Sequence, residues 1–251
     1  MAKYFLIVGV LLSAESKLLS QNIESIATDR PDQTETPHTV PKNHFQMETG
    51  FSFEQTDKDT KTYAYPAALL KYGLTDRMDL RLVTEFTSEK NSTVNTTGLN
   101  PVDIGFKVNL VREKGIIPIT SFIGHLGIPS FASKDHKAIY YAPAFRFTMQ
   151  HTLSRNVDLG YNFGARWDGQ TPEPEFTYTL TTGFEISEKV GAYAEIYGFA
   201  PQYSSAYHSF DGGFSYLIHE NMLADISGGF GLTDNAPDYF VAVGFSFRLP
   251  N

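Results

Sequence analysis

The chain has 251 residues, a formal net charge of -8 and no cysteine, which excludes disulfides, thiolate metal sites and cysteine nucleophiles. With 28 acidic residues against 20 lysine and arginine residues, it lacks a broad basic surface, and we expect no binding to nucleic acid. The mean hydropathy of -0.23 is typical of a soluble protein. In contrast, 20 Phe, 14 Tyr and 20 Gly favour β-structure over helix.

The N-terminus has the pattern of a secretory signal peptide. Lys3 precedes an apolar run from Tyr4 to Leu12, and small and polar residues follow it. The run is too short to span a bilayer. We therefore predict a signal peptide over residues 1–20, where Ala14 and Ser20 are both acceptable as the last residue before cleavage.

Residues 21–42 form a proline-rich N-terminal segment that includes Pro31, Pro37 and Pro41. Proline fixes φ and removes a backbone donor, so we expect an extended, irregular chain here. Two interpretations stay open for this segment: a flexible periplasmic tail, or a plug that folds into the lumen of the barrel predicted below. The charged residues of the candidate plug are Asp29, Arg30 and Asp32.

From His44 onward the chain alternates between apolar and polar residues, as in Phe45 and Met47 against Gln46 and Glu48. Strict alternation over about ten residues predicts a strand with one apolar and one polar face. Both parities are apolar in residues 116–126, so the face of that strand stays open. The pattern predicts twelve strands, over residues 44–54, 64–72, 78–86, 102–110, 116–126, 141–150, 157–167, 176–186, 191–199, 210–216, 223–231 and 239–248.

Two features favour a membrane barrel over a soluble β-sandwich. The apolar face carries no Asp, Glu, Lys or Arg on the eleven strands whose faces can be assigned. The connections also alternate, with 5 to 14 residues in one set and 3 to 5 in the other. Short periplasmic turns and longer external loops are typical of outer-membrane barrels. We therefore predict an all-β, transmembrane antiparallel up-and-down β-barrel of about 12 strands over residues 43–251, in the outer membrane of a Gram-negative bacterium.

Four short runs also resemble a known family. They are residues 28–33 (TDRPDQ), 40–42 (VPK), 45–48 (FQME) and 71–74 (KYGL). They are similar to the outer-membrane transporter family labelled "MetA-pathway of phenol degradation". The resemblance implies a bacterial outer-membrane β-barrel that passes aromatic or other small compounds. Barrels of this kind end on an aromatic residue that assists assembly, whereas Leu249 stands at that place here.

The polar face of such a barrel would line its lumen. The expected acids are Glu48, Glu54, Asp79, Glu85, Asp103, Asp158, Glu185, Glu195, Asp211 and Asp225. The expected bases are Lys71, Arg81, Lys107, Arg146, Arg166 and Arg248. Six bases less ten acids leave -4, which predicts a slight preference for cations. Because charges inside a lumen must be wet or paired, we expect the pairs Lys71–Asp79 and Arg166–Glu175 across hairpins.

Twelve strands about 4.8 Å apart and tilted by about 40° give a backbone radius of about 12 Å, between filled eight-stranded and open sixteen-stranded barrels. Two functions stay open. The first is a channel or transporter for passive, selective passage of small solutes, including aromatic or hydrophobic compounds. The alternative is a closed structural or surface-interaction barrel with an ion-paired lumen and its function in loop 87–100. The expected partners are outer-membrane lipid, a small-molecule solute and the barrel-assembly machinery.

No motif indicates an enzyme. His208 and Ser209 are adjacent, so on a strand they point to opposite faces and cannot form a catalytic pair. The seven histidines lack metal-ligand spacing, and no phosphate-binding loop, dinucleotide motif or nucleophile elbow occurs. We therefore expect no catalytic residue, cofactor or metal site.

Overall fold

The computed structural model describes residues 25–93 and 95–250, and these fold into thirteen β-strands and two short 3-10 helices. The strands are β1 (Phe45–Gln55), β2 (Lys61–Thr75), β3 (Met78–Lys90), β4 (Asn95–Leu99), β5 (Val102–Val111), β6 (Ile119–Ile128), β7 (Ala142–Ser154), β8 (Val157–Arg166), β9 (Glu175–Ser187), β10 (Val190–Pro201), β11 (Tyr207–His219), β12 (Met222–Gly231) and β13 (Tyr239–Leu249). The 3-10 helices are Pro129–Phe131 and Lys134–His136. The predicted signal peptide, residues 1–20, lies outside the described residues.

The strands close into a barrel by antiparallel pairing. Apart from β4 and β5, each strand pairs with its neighbour along the chain, and β1 pairs with β13 in continuous register from Phe45↔Leu249 to Gln55↔Tyr239. Strands β4 and β5 both pair with β3 and form one wall strand, which Asn100 and Pro101 interrupt. The predicted closed barrel of about 12 strands is therefore confirmed.

The stretch 87–100 differs from the external loop expected there. Strand β3 continues to Lys90, and β4 pairs with it from Asn95, opposite Lys90, to Leu99, opposite Phe86. The Thr97 hydroxyl donates to the Ser88 hydroxyl at 2.9 Å across this hairpin. The loop prediction was wrong because it relied on alternation between apolar and polar residues. A strand that extends beyond the membrane can carry Thr and Ser on both faces, so it lacks that alternation, yet threonine still favours strand formation.

The outer face of the barrel is apolar. Large side chains project from it with about half of their surface exposed, among them Phe51, Phe163, Phe214, Ile226 and Val241. Rings also pack side by side along this face, with centroid distances of 5.2 Å for Phe122–Phe147 and 5.3 Å for Phe147–Phe163. A continuous apolar belt of this kind is stable against lipid and unfavourable against water, so the barrel spans a membrane with its strands. In residues 25–93 and 95–250, no helix is long and apolar enough to cross a membrane.

The inner face is polar and largely buried. Lys71, Lys107, Glu48, Glu195 and Asp211 each expose 2% or less of their surface, although they are charged residue types. Strand β6, whose face was open, places Ser121 and Ile123 inside, since these are 0% and 1% exposed. Strand β10 departs from the expected aromatic exterior. Tyr197 and Phe199 share the parity of Glu195 and lie buried inside the wall.

The apolar belt predicts a position-dependent cost for a charge on the outer face. An Ile226→Arg substitution places a cation against lipid near the middle of β12 and should lower the free energy of unfolding by about 2–4 kcal/mol. The matched control is Ile116→Arg, in a periplasmic turn where Ile116 is 93% exposed. Denaturant unfolding in lipid vesicles measures both. Equal, small costs for the two variants would contradict a lipid-facing β12.

Candidate functional site in the barrel lumen

Residues 25–44, which we call the lumen segment, lie inside the barrel and are not part of its wall. The Ile26 N–H donates to the Glu220 carbonyl at 2.8 Å, in the turn before β12. The Ser121 hydroxyl on β6 donates to the Pro37 carbonyl at 2.5 Å. The Val40 N–H donates to Asp79 Oδ2 on β3 at 3.0 Å. Since these partners lie on distant strands, the lumen segment crosses the interior before it enters β1.

Four bases on the wall converge on the lumen segment. We call them the four-base cluster: Lys71 on β2, Arg81 on β3, Lys107 on β5 and Arg146 on β7. Three of them contact Asp29, at 2.8 Å from Lys71 Nζ, 2.5 Å from Lys107 Nζ and 3.3 Å from Arg81 Nη1. Their side chains are at most 2% exposed, and that of Asp29 is 4% exposed. This carboxylate therefore neutralises charge in the most buried part of the cluster.

Glu35 is the second carboxylate that the lumen segment brings to the cluster. Its Oε2 lies 2.6 Å from Arg81 Nη2, and its Oε1 lies 3.5 Å from Arg146 Nη1. Arg81 thus joins the two carboxylates, with one terminal nitrogen directed at Asp29 and the other at Glu35. The Arg146 guanidinium also donates to the Gln33 carbonyl at 2.8 Å.

Fixed acids of the wall complete the cluster. Glu48 on β1 pairs with Lys71, and its Oε2 accepts the N–H groups of Asp29 at 2.8 Å and Arg30 at 3.2 Å. Asp79 accepts the Val40 N–H. These acids therefore bind backbone donors of the lumen segment, which an extended, proline-containing chain leaves without intrachain partners.

The charges of the cluster control the ionisation of the lumen segment. Burial alone would raise the pKa of Asp29, but Lys107, Lys71 and Arg81 outweigh it and hold that pKa well below its usual range. Burial also tends to raise the pKa of Glu35, but the charges of Arg81 and Arg146 outweigh it and lower that pKa to about 2. Both carboxylates are therefore ionised at neutral pH.

A notch in the wall holds Arg30. Its Nη2 lies 2.9 Å from Asp225 Oδ1, and its Nε donates to Asp225 Oδ2 at 3.3 Å. Gly50 and Gly244 are direct partners across the β1–β13 seam, and both face the guanidinium. A Cβ on Gly50 would lie 2.6 Å from Arg30 Cζ, and one on Gly244 would lie 2.4 Å from Nε. A side chain at either position would therefore displace the Arg30 guanidinium from its place beside Asp225.

Hydroxyl and carboxyl groups on β9 and β10 contact the lumen segment. Glu195 Oε2 accepts the Gln33 N–H at 2.7 Å, and the Thr34 hydroxyl lies 2.6 Å from the Thr179 hydroxyl. Asp32 lies near two further acids, Glu195 and Asp211, and no lysine or arginine is among the charged groups that act on it most strongly. Burial first, and then the charge of Glu195, raise the pKa of Asp32 well above its usual range. The lumen segment thus meets bases on one wall and acids on the other.

Two cavities flank the lumen segment. A cavity of about 330 Å³ lies at the short-turn end, between the segment and strands β7 to β11, and Asp158 and Glu185 line it. A larger one of about 720 Å³ lies at the long-loop end, where Glu85, Asp103 and Trp167 line it. The segment therefore separates a periplasmic space from an extracellular vestibule.

The predicted lumen residues divide by their position relative to the segment. Those in contact with it are Glu48, Lys71, Asp79, Arg81, Lys107, Arg146, Glu195 and Asp225. Glu85, Asp103 and Arg166 line the extracellular vestibule, and Asp158 and Glu185 line the periplasmic cavity. Glu54 lines a further cavity beside Glu85. Asp211 and Arg248 are buried on the inner face.

Two expected ion pairs have different outcomes. Arg166 Nη2 lies 2.5 Å from Glu175 Oε1, as the hairpin geometry predicted. Lys71, in contrast, directs its ammonium to Asp29 and Glu48, and the expected pair with Asp79 is wrong. The reason is that Lys71 stands opposite Arg81 in the β2–β3 register, whereas Asp79 stands opposite Gly73.

Sequence reasoning missed Glu35, Thr34 and the Gly50–Gly244 notch. The available signal for Glu35 was its place in the same charged run as Asp29 and Asp32. The glycine pair could be found only from the strand register, because Gly50 and Gly244 are far apart in sequence. Within the described part of the chain, no group of three His, Asp or Glu side chains is arranged to hold a metal ion.

The fold and the lumen define a class: a closed β-barrel of the outer-membrane type with an N-terminal segment inside it. The family model described as "Putative MetA-pathway of phenol degradation" matches residues 28–249. The chain therefore belongs to this family. The match includes most of the lumen segment as well as the barrel wall.

Solved structures with similar folds include an outer-membrane channel and two porins. An outer-membrane channel from Pseudomonas putida F1 has a TM-score of 0.69 at 12% identity, covering 84% of this chain and 97% of that one. The NanC porin has a TM-score of 0.52 at 10% identity, covering 82% and 100%. The KdgM porin has a TM-score of 0.51 at 8% identity, covering 80% and 98%. No curated protein matches the chain significantly.

The buried pairs of Asp29 predict that its charge holds the lumen segment in place. Asp29→Asn leaves Lys71 and Lys107 short of a counter-charge, which costs about 3–5 kcal/mol for a buried pair. We measure the exposure of residue 34 as maleimide labelling of a Thr34→Cys variant, since the chain has no other cysteine. Labelling should rise by roughly 100-fold or more.

The matched control is Glu175→Gln, which breaks the Arg166–Glu175 pair outside the segment. The Arg166 side chain is 52% exposed, so this change should cost no more than about 1 kcal/mol and leave labelling unchanged. Equal labelling of the Asp29→Asn variant and the parent would show that Asp29 does not hold the segment.

The lowered pKa values predict release of the lumen segment in acid. A group whose pKa falls on folding contributes stability above its unfolded pKa, about 4 for these carboxyls, and loses it as the pH falls through the folded value. Exposure of the lumen segment, measured as hydrogen exchange of its backbone amides, should therefore stay low from pH 7 to about pH 4 and rise toward pH 2. We place the measurement in an Asp32→Asn background, because the pKa of Asp32 shifts in the opposite direction. Exposure that is complete above pH 5 would contradict the ionised Asp29 and Glu35.

Proposed function

We propose that the protein is an outer-membrane channel for passive passage of small solutes, and that the lumen segment restricts this passage. The observation that carries the proposal is that the lumen segment is not part of the barrel wall. It contributes no strand to the closed wall, yet it stands between the extracellular vestibule and the periplasmic cavity. A barrel stabilised only by its filling needs no such pair of spaces.

The character of the lumen supports water-soluble solutes. Polar and charged side chains line the inside, which favours hydration over contact with lipid tails. The extracellular vestibule, about 720 Å³, has room for a small organic molecule. We therefore propose that solutes pass, in either direction, between this vestibule and the periplasmic cavity beside the lumen segment.

Aromatic compounds are the narrower part of the proposal. Three inward aromatic side chains, Tyr197, Phe199 and Tyr207, run along β10 and β11 below the vestibule, with ring centroids 5.9 Å and 5.3 Å apart. The Arg166 guanidinium lies 4.5 Å from the centre of the Phe199 ring. Such a strip suits stacking of flat solutes, and the description of the family refers to phenol degradation.

A closed structural barrel is the second candidate, and the buried ion pairs of the lumen favour it. In that case the lumen segment would be a permanent filling whose removal only destabilises the wall. The Arg81–Glu35 and Lys107–Asp29 pairs would then only stabilise the fold. The two candidates differ in whether ions pass once the segment is gone.

Conductance in planar bilayers tests the proposal. We compare the mature chain with a variant that lacks residues 21–42, and we expect stable conductance that is several-fold larger in the truncated chain. Folding is checked by the altered gel mobility that intact barrels show without heating. A folded truncated barrel without conductance would favour the closed structural barrel. Equal conductance of both chains would show that the segment does not restrict the pore.

A further inference from the structure

The four-base cluster carries more positive charge than the wall neutralises. Lys71, Arg81, Lys107 and Arg146 contribute four positive charges, and the wall acids beside them are Glu48 and Asp79. Four less two leaves a net charge of +2 on the wall. Asp29 and Glu35, which supply the missing two negative charges, both come from the lumen segment.

The contacts of these two carboxylates are those of a bound dianion. The two oxygens of Asp29 each contact one ammonium group, Oδ2 that of Lys71 and Oδ1 that of Lys107. The two oxygens of Glu35 each contact one guanidinium group, Oε2 that of Arg81 and Oε1 that of Arg146. Arg81 contacts both, so the span of one guanidinium sets their separation. Charge-assisted contacts of this kind are the usual means by which proteins hold carboxylates.

We infer that the four-base cluster is a binding site for a small dicarboxylate, and that Asp29 and Glu35 occupy it as an internal substitute while the lumen segment is in place. The inference rests on the proposed function, since the ligand reaches the cluster only inside a solute-accessible lumen. Ligand and segment compete for the same bases. A dicarboxylate therefore displaces the segment as it binds.

The cluster is placed where a solute can reach it. Glu35 lines the periplasmic cavity of about 330 Å³, together with Thr36 and Pro37 of the segment. The Arg146 side chain is 19% exposed and that of Glu35 is 17% exposed, so this end of the cluster is partly open. Arg81 and Lys107 lie deeper, at 2% and 0%. Binding can therefore begin at Arg146 and proceed inward.

Calorimetric titration of the full mature chain in detergent tests the site without any need for conductance. The variant Asp29→Asn with Glu35→Gln keeps the lumen segment but removes its negative charges. Its affinity for succinate should exceed that of the parent by at least about tenfold, because the tethered competitor is lost. Isophthalate in place of succinate distinguishes an aromatic from an aliphatic ligand. Acetate and benzoate, which carry one carboxylate, should bind much more weakly.

Two controls restrict the interpretation. Adding Arg81→Met to the double variant removes the base that joins the two carboxylate positions and should abolish binding of both dicarboxylates. Glu175→Gln also removes one negative charge from the lumen but leaves the cluster filled, so it should match the parent. Equal binding of succinate to the parent, the double variant and the Arg81→Met variant would overturn the site.

The Thr34→Cys variant, which keeps Asp29 and Glu35, gives a second measurement that does not depend on the folding of the double variant. Succinate should accelerate maleimide labelling of Thr34→Cys, whereas acetate at the same ionic strength should not. Unchanged labelling, together with no calorimetric binding, would overturn the dicarboxylate site. That result would leave the channel proposal intact if the truncated chain conducts. A chain that binds succinate but never conducts would overturn the channel and keep the site.

Discussion

The ion pairs between Asp29 and the bases of the wall are the interaction on which the arrangement of the lumen depends. Lys71 and Lys107 are almost completely buried, and a buried ammonium without a counter-charge is strongly unfavourable. The wall alone supplies too few acids to compensate. The lumen segment provides the remaining carboxylates, so the inside of the wall and the segment stabilise each other.

The same constraint explains how a chain with a polar mean hydropathy forms a membrane protein. The outer face is continuously apolar against lipid, whereas the inner face carries charges that need partners. Local features of the wall make room for those partners. Gly50 and Gly244 leave space for the Arg30 guanidinium at the β1–β13 seam, where the barrel closes. The segment thereby contacts the seam as well as the bases on the facing strands.

The sequence predicts the barrel well because a period of two residues assigns each side chain to a face. That period does not say which strands meet a segment inside the barrel. Arg166 and Glu175 flank one connection, so their pair was foreseeable, whereas Asp29 and Lys107 are 78 residues apart and were not linked. Tyr197 and Phe199 were hidden for a related reason, since aromatic residues on an inner face resemble those facing lipid. Whether the segment is a tail or a plug also depended on contacts that no local pattern contains.

Disulfide cross-linking tests most directly whether the lumen segment lies inside the barrel in the membrane. The chain has no cysteine, and the Thr34 and Thr179 hydroxyls are 2.6 Å apart. A Thr34→Cys, Thr179→Cys variant in isolated outer membranes should form an intramolecular disulfide on mild oxidation, detected by its faster mobility on non-reducing gels. A Thr34→Cys, Thr56→Cys variant, with its second cysteine in an external turn, should not. Free thiols in both variants, equally open to maleimide, would contradict a segment held in the lumen.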